Sequence, residues 1–269
     1  MADPLARLVE IWWQAIDDFT TLLETVPAAQ WSTPTDLMGW DVHAIAAHTA
    51  HLEALLAGAT HDEVDIGEPA HVTGPFGQFT EQGVVARRDR TADELITEIR
   101  RSATARRTAL LAEPPDDGSV PAPGVFGLIG WNTERLLRNR PLDVWMHEQD
   151  VRRAVGRPGN LDSPAAVHTA DYLAESLGYV LVKRAGAAPG TTAVLEIDGH
   201  APYGVTVNAD GRGEPKTEIS GDPTVRLAMG RETFILLAGG RRPVPAGAVE
   251  MSGDTELGDR LVTGLAVTP

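Results

Sequence analysis

Asp143, His147 and Asp150 are the residues of this 269-residue chain whose types and spacing most directly suggest chemistry. They stand at i, i+4 and i+7 in Pro141-Leu-Asp-Val-Trp-Met-His-Glu-Gln-Asp150, so in a helix all three project from one face. A carboxylate and an imidazole one turn apart can offer two ligands to a single metal ion. A second group, His43, His48 and His51, lies far upstream. His48 joined to Asp143 and His147 makes a His-Asp-His set, and three protein ligands with an open fourth position describe a catalytic zinc site rather than a structural one. The open position takes a water or a thiol. A metal-bound thiol is deprotonated outright, whereas a free thiol with a pKa of about 8.5 is mostly neutral at pH 7.

Each of these residues also has a purely structural role open to it. With Pro141 at the first position of a fresh helix, Asp143 falls in the first turn, where the helix dipole favours a carboxylate without any metal. His51 competes with His48 as a ligand, and His43 reads as structural. Asp150 either orients His147 from behind or lies exposed beside Arg153. Trp40 and Trp145 read as core, and Glu148 as solvated. His61, His71, His168 and His200 have no partner motif.

The elements that must position these side chains follow from periodicity and capping. Residues 4–25 carry Leu5, Leu8, Val9, Trp12, Ala15, Phe19 and Leu22 at spacings of three and four, the pattern of an amphipathic helix. Asp41 is an N-cap for a second helix that runs through Leu56 and stops at Gly58, with His48 and His51 sharing a face. Residues 59–80 read as a long loop and 80–89 as a helix. Thr91-Ala-Asp-Glu94 matches a capping box opening a helix to about Ala112. A Gly/Pro-rich loop follows to about Gly127, then a helical stretch over 128–137 and the 141–155 helix. Ser163 caps a helix to about Lys183. Beyond it the pattern predicts strands over 192–198, 202–210, 216–220 and 248–252, and helices over 222–229, 231–237 and 255–265. All six tryptophans precede residue 150. The chain therefore reads as α+β in two domains, a helical bundle over 1–158 and a small α+β domain over 159–269.

The formal net charge of −15 argues against general nucleic-acid binding, which needs clustered Lys and Arg. Basic groups are local, as at Arg152-Arg153 and Arg241-Arg242. There are no cysteines, which excludes disulfides, a cysteine nucleophile and a thiolate zinc site, so any thiol used in catalysis comes from outside. No apolar run approaches the roughly 20 residues that span a bilayer, and the N-terminus lacks the form of a secretory signal. The expectation is a cytoplasmic protein, monomeric or a small homo-oligomer, without a membrane partner.

Two segments resemble a known family. Gly39-Trp-Asp-Val-His-Ala-Ile-Ala-Ala-His48 resembles the first metal segment of the mycothiol-dependent maleylpyruvate isomerase family, and Asp143-Val-Trp-Met-His147-Glu-Gln-Asp150-Val-Arg-Arg-Ala-Val-Gly-Arg-Pro158 is similar to its second. The resemblance covers nearly the whole chain. It implies a DinB-like four-helix metal-binding bundle followed by a C-terminal domain related to sterol-carrier folds. It implies a divalent metal, usually zinc, on His48, Asp143 and His147, with mycothiol as thiol cosubstrate and an electrophilic small molecule as substrate. The family pattern has Glu where this chain has Asp143, one methylene shorter. An arginine of the second domain is implicated in the isomerase site, and Arg242, Arg241 and Arg231 are the candidates here, with Arg242 the catalytic assignment. The activity so implied is isomerisation or thiol S-transfer. The residues by themselves leave open a non-catalytic small-molecule binding or sensing protein and a zinc hydrolase.

Overall fold

The computed structural model describes residues 3–268. They form two compact units, one ending at Asn160 and one beginning at Leu161. The first is helical and the second is a small mixed α/β unit, as the sequence pattern predicts.

In the first unit, α1 (Pro4–Glu24) is capped by Asp3, whose side chain accepts from the Leu5 N–H, and it buries Val9, Trp12, Ile16, Phe19 and Leu23 along one face. α2 (Val42–Leu56) begins at Asp41, whose Oδ1 accepts from the Ala44 N–H at 2.8 Å. Every residue of α2 from Ala44 to Ala54 is buried. A helix enclosed on all sides needs apolar or internally paired side chains all round, and α2 packs against α3 (Gly74–Val85), α4 (Ala92–Ala112) and α6 (Thr133–Ala154). The Thr91–Glu94 capping box opens α4 as predicted. α1 lies against both α4 and α6, and a short α5 (Gly124–Leu128) precedes α6.

Three helix boundaries differ from the sequence reading. The stretch read as helix over 80–89 is α3 at Gly74–Val85. The segment read as helix over 128–137 starts only at Thr133, capped by the Asn132 side chain. From there α6 runs without a break through Pro141, which therefore sits inside a helix and not at its start. Proline in a helix interior removes one hydrogen bond and is normally costly. Here Pro141 is buried among the packed helices, and tertiary contacts override the local preference.

In the second unit, α7 (Pro164–Ala174) is capped by Ser163 and gives way to a one-turn α8 (Leu177–Tyr179) and a π-helical turn at Val180–Arg184, where the sequence predicts one continuous helix. Five strands follow: β1 (Thr192–Ile197), β2 (Tyr203–Val207), β3 (Gly213–Lys216), β4 (Val225–Met229) and β5 (Val249–Gly253). Their order in the sheet is β3-β2-β1-β4-β5. β1 and β4 are parallel and the other pairs antiparallel. β4 overturns the expectation of a helix over 222–229. Val225, Leu227 and Met229 alternate onto a buried face, the period-two pattern of a strand flanked on both sides. Helices α9 (Arg231–Ala238) and α10 (Thr255–Gly264) complete the unit. Among the described residues no helix is long and apolar enough to cross a membrane.

One close approach in the first unit fixes α3 on α2. A Cβ added at Gly83 would lie 2.1 Å from the imidazole of His51, which is fully buried. Gly83→Ala is therefore expected to destabilise the protein by roughly 1–3 kcal/mol, the usual cost of overpacking, as read by urea denaturation.

Candidate metal centre

The fold brings His48 of α2 together with Asp143 and His147 of α6. One donor atom from each lies within 4.8 Å of the other two. His48 Nε2 is 3.8 Å from Asp143 Oδ2, and His147 Nε2 is 3.6 Å from Asp143 Oδ1. The two imidazoles meet edge to face, with centroids 4.9 Å apart. Two donors held at 2.0–2.1 Å from a tetrahedral zinc are separated by about 3.3 Å; the two contacts here reach different oxygens of Asp143, so the side chains must close in for three atoms to share one ion. Both histidines are buried and Asp143 is partly exposed, so the site opens on the carboxylate side.

The protonation states suit ligation. Burial pushes the His48 imidazole below its usual pKa, with Asp143 pulling the other way, and the neutral form that can donate a lone pair is favoured. Burial raises Asp143, but Arg140, His147 and His48 outweigh it and hold the carboxyl well below the ordinary carboxylate range. A second carboxylate stands behind His147. Its Nδ1 lies 3.4 Å from Oδ2 of Asp150, which is completely buried. Asp150 Oδ1 in turn accepts from Arg153, and Arg153 Nε donates to Asp36 at 2.7 Å. Nδ1 has no hydrogen-bond partner among the described residues, so Asp150 stands behind the ring at ion-pair distance without bonding it. Of the two positions open to Asp150, it takes the buried one and not the exposed one.

Asp143 does not stand at a helix N-terminus. It lies well inside α6, so the helix dipole gives no account of it. Its carboxylate is held instead by Arg140, one turn earlier, which donates from one terminal nitrogen (NH1) to Oδ2 at 2.8 Å. Arg140 is 1 % exposed, and its Nε and other terminal nitrogen (NH2) both donate to Glu53 Oε1, at 3.2 and 2.7 Å. Glu53 has no exposure at all; it also accepts from Trp12 Nε1, and Arg106 approaches its second oxygen at 3.6 Å. Glu53, Arg106 and Arg140 were not singled out in the sequence. The arginine's i, i+3 spacing to Asp143 was the one local signal.

His51 does not join this cluster. Its ring packs beside His61 and Phe79, with centroids 5.2 and 5.5 Å away, and among the described residues neither ring nitrogen has a hydrogen-bond partner. His43 is structural as expected, its Nε2 at 2.8 Å from the Arg90 carbonyl oxygen. Trp145 is core, but Trp40 is not. It is half-buried, with its ring 4.9 Å from His48 and 6.1 Å from His147, and its Nε1 donates to Glu81 at 2.9 Å. Trp40 also lines a cavity of about 850 Å³ with Trp31, Asp41, His43, Glu81 and Arg88, which none of the three candidate ligands lines. Glu148 is not solvated. It is fully buried, paired with Arg152 at 2.7 Å, and takes two hydrogen bonds from Asn160, whose φ of 59° turns its side chain back onto α6.

In the second unit, Arg231 donates to the Leu161 carbonyl, to Asp162 and to His200 Nε2, while His200 Nδ1 faces Asp171 at 2.7 Å. One terminal nitrogen of Arg241 donates to the Gly239 carbonyl at 2.7 Å. Arg242 lies exposed in the segment that follows α9.

The neutral, enclosed His51 has a measurable consequence. Burial, with help from Arg87, depresses its pKa to about 3. A depressed histidine leaves the unfolded chain binding more protons, so its contribution to stability is complete above pH 6.5 and falls as the pH drops towards 3. Comparing wild type with His51→Leu, the stability difference between them should shift against wild type by about 1.4 kcal/mol per pH unit below 6.5, measured by urea denaturation between pH 7 and 5.

Comparison with known proteins adds to this geometry. Residues 12–152 match the family model described as the mycothiol maleylpyruvate isomerase N-terminal domain, and residues 168–260 match the MDMPI C-terminal domain. The chain is similar in fold to the crystal structure of a mycothiol-dependent maleylpyruvate isomerase, with a TM-score of 0.58, 18 % identity and 93 % of each chain covered. A histidine-to-alanine mutant of that isomerase matches with a TM-score of 0.57 at the same identity and coverage. No curated protein is significantly similar to the chain.

Proposed function

The chain belongs to the mycothiol maleylpyruvate isomerase family, and on that premise we propose that it is a divalent-metal enzyme, with zinc the favoured ion, that uses mycothiol as cosubstrate. The observation that carries the reading is the convergence of His48, Asp143 and His147 from two helices, with donor spacings near those of a tetrahedral ion. A metal bound there supplies an open coordination position at which a thiol loses its proton at neutral pH.

The chain's own residues do the rest. Asp150, 3.4 Å behind His147 Nδ1, would accept from it and hold the ring in the ligating tautomer when a metal is bound. Arg140 holds Asp143 ionised. Trp40 covers the two imidazoles and limits access of bulk water. The chain has no cysteine of its own to compete with the incoming thiol. A thiolate formed there would add to one carbon of a conjugated cis double bond, the π pair moving onto the neighbouring carbonyl as an enolate. The former double bond is then single and free to rotate. Return of that pair with expulsion of the thiolate gives the trans product, which is isomerisation. Protonation of the enolate carbon with the C–S bond kept gives S-transfer. Arg242, exposed in the segment after α9, is the proposed cationic contact for an anionic substrate. A cytoplasmic setting, where a low-molecular-weight thiol stays reduced, belongs to the same reading.

Purified protein is expected to hold about one equivalent of zinc, and His48→Ala and His147→Ala to lose it, by elemental analysis. Mycothiol incubated with a panel of electrophiles should be consumed, or cis substrates isomerised, only by metal-loaded enzyme. Arg242→Ala should lower kcat/KM for anionic substrates with its metal content intact. Stoichiometric zinc retained in both histidine variants, or full turnover without thiol, would contradict the proposal.

A further inference from the structure

We propose that Arg140, braced by Glu53, is a positioning residue that restricts Asp143 to offering a single oxygen to the metal, and so keeps the site at three protein donors. This inference rests on the metal reading of His48, Asp143 and His147.

A carboxylate has two oxygens, and left free it can bind a metal through either one or both. Here the two oxygens of Asp143 are already distinguished. Oδ2 accepts from Arg140 at 2.8 Å and lies 3.8 Å from His48 Nε2, while Oδ1 faces His147 Nε2 at 3.6 Å with no arginine on it. The arginine cannot swing away, because its Nε and second terminal nitrogen are both committed to Glu53 Oε1 inside the helical unit, where Arg140 is 1 % exposed and Glu53 is not exposed. Glu53 is itself held by Trp12 of α1 and flanked by Arg106 of α4. The chain of contacts thus runs from the packed interior to one oxygen of one candidate ligand. With one lone pair of Oδ2 already engaged by a guanidinium, Oδ1 is the oxygen the arrangement favours for a metal, and with the two imidazoles the protein supplies three donors. That set suits a four-coordinate ion with one exchangeable position. It does not suit calcium or magnesium, which need six or more oxygens.

The placement also separates positioning from simple electrostatics. A guanidinium next to a dication repels it, so a bystander arginine would weaken binding and its removal would tighten it. A positioning arginine has the opposite signature. Arg140→Met is expected to lose ~10–100-fold in zinc affinity, the usual cost of removing a group that orients a metal ligand, measured by chelator competition. With cobalt(II) as a visible probe, the intense absorption of a four-coordinate ion should weaken as the second oxygen of Asp143 joins the coordination shell. Circular dichroism checks that the variant is folded. Should Arg140→Met fail to fold around an unpaired Glu53, Arg140→Lys is read in the same way. It keeps a cation beside Glu53 but lacks the rigid fork whose separate nitrogens reach Glu53 and Asp143. Zinc affinity unchanged or tighter in the folded variant, with an unchanged cobalt spectrum, would overturn the role of Arg140. Failure of the wild-type protein to bind either ion would instead sink the metal reading itself.

Discussion

A carboxylate with no access to water must be met by donors or cations, because an isolated buried charge costs more than a small domain can bear. Glu53 imposes that demand at the centre of the helical unit. It sits on α2 and is answered by Trp12 from α1, Arg106 from α4 and Arg140 from α6. One group from each of three helices therefore converges on a side chain of a fourth. Burial lowers the Arg106 pKa to about 10, which leaves it charged at neutral pH, so the ion pairs around Glu53 are maintained. Removing one partner of such a pair typically costs about 3–5 kcal/mol, because the other charge is left buried alone.

The candidate metal centre is a consequence of that hub. Glu53 lies a little more than one turn beyond His48 on α2. Arg140 lies one turn before Asp143 and two turns before His147 on α6. Fixing Glu53 to Arg140 aligns the two helices so that the histidine faces meet, with His48 and His147 in edge-to-face contact. On the far side of His147 the Asp150–Arg153–Asp36 chain stands behind the second imidazole. The ligands are thus held by packed helices and buried ion pairs and not by loops, which keeps their geometry independent of whether a metal is bound.

Much of this was legible in the sequence where the signal is local. The Asp41 N-cap, the Thr91 capping box and the Asp143–His147 spacing all act within one or two turns, and each appears in the structure as read. The pairing of His48 with that helix became readable only through the two family-like segments taken together. The misreadings share a cause, which is that long-range packing overrode a local rule. Pro141 is a helix-start signal by itself, yet buried packing carries α6 straight through it. The Val225–Met229 segment contains good helix formers, but becomes a strand because β1 and β5 lie on either side to pair with it. Glu148 looks like a solvated acid until Asn160 and Arg152 close over it. Arg140 and Glu53 stand 87 positions apart, and nothing in their neighbourhoods announces that they meet.

The account is tested most directly by a crystal structure of the zinc-loaded protein with anomalous data collected at the zinc edge. It predicts one peak, about 2.0–2.2 Å from His48 Nε2, His147 Nε2 and Asp143 Oδ1, with Asp143 Oδ2 still on Arg140. A peak elsewhere in the molecule, or none at these three atoms, would contradict it.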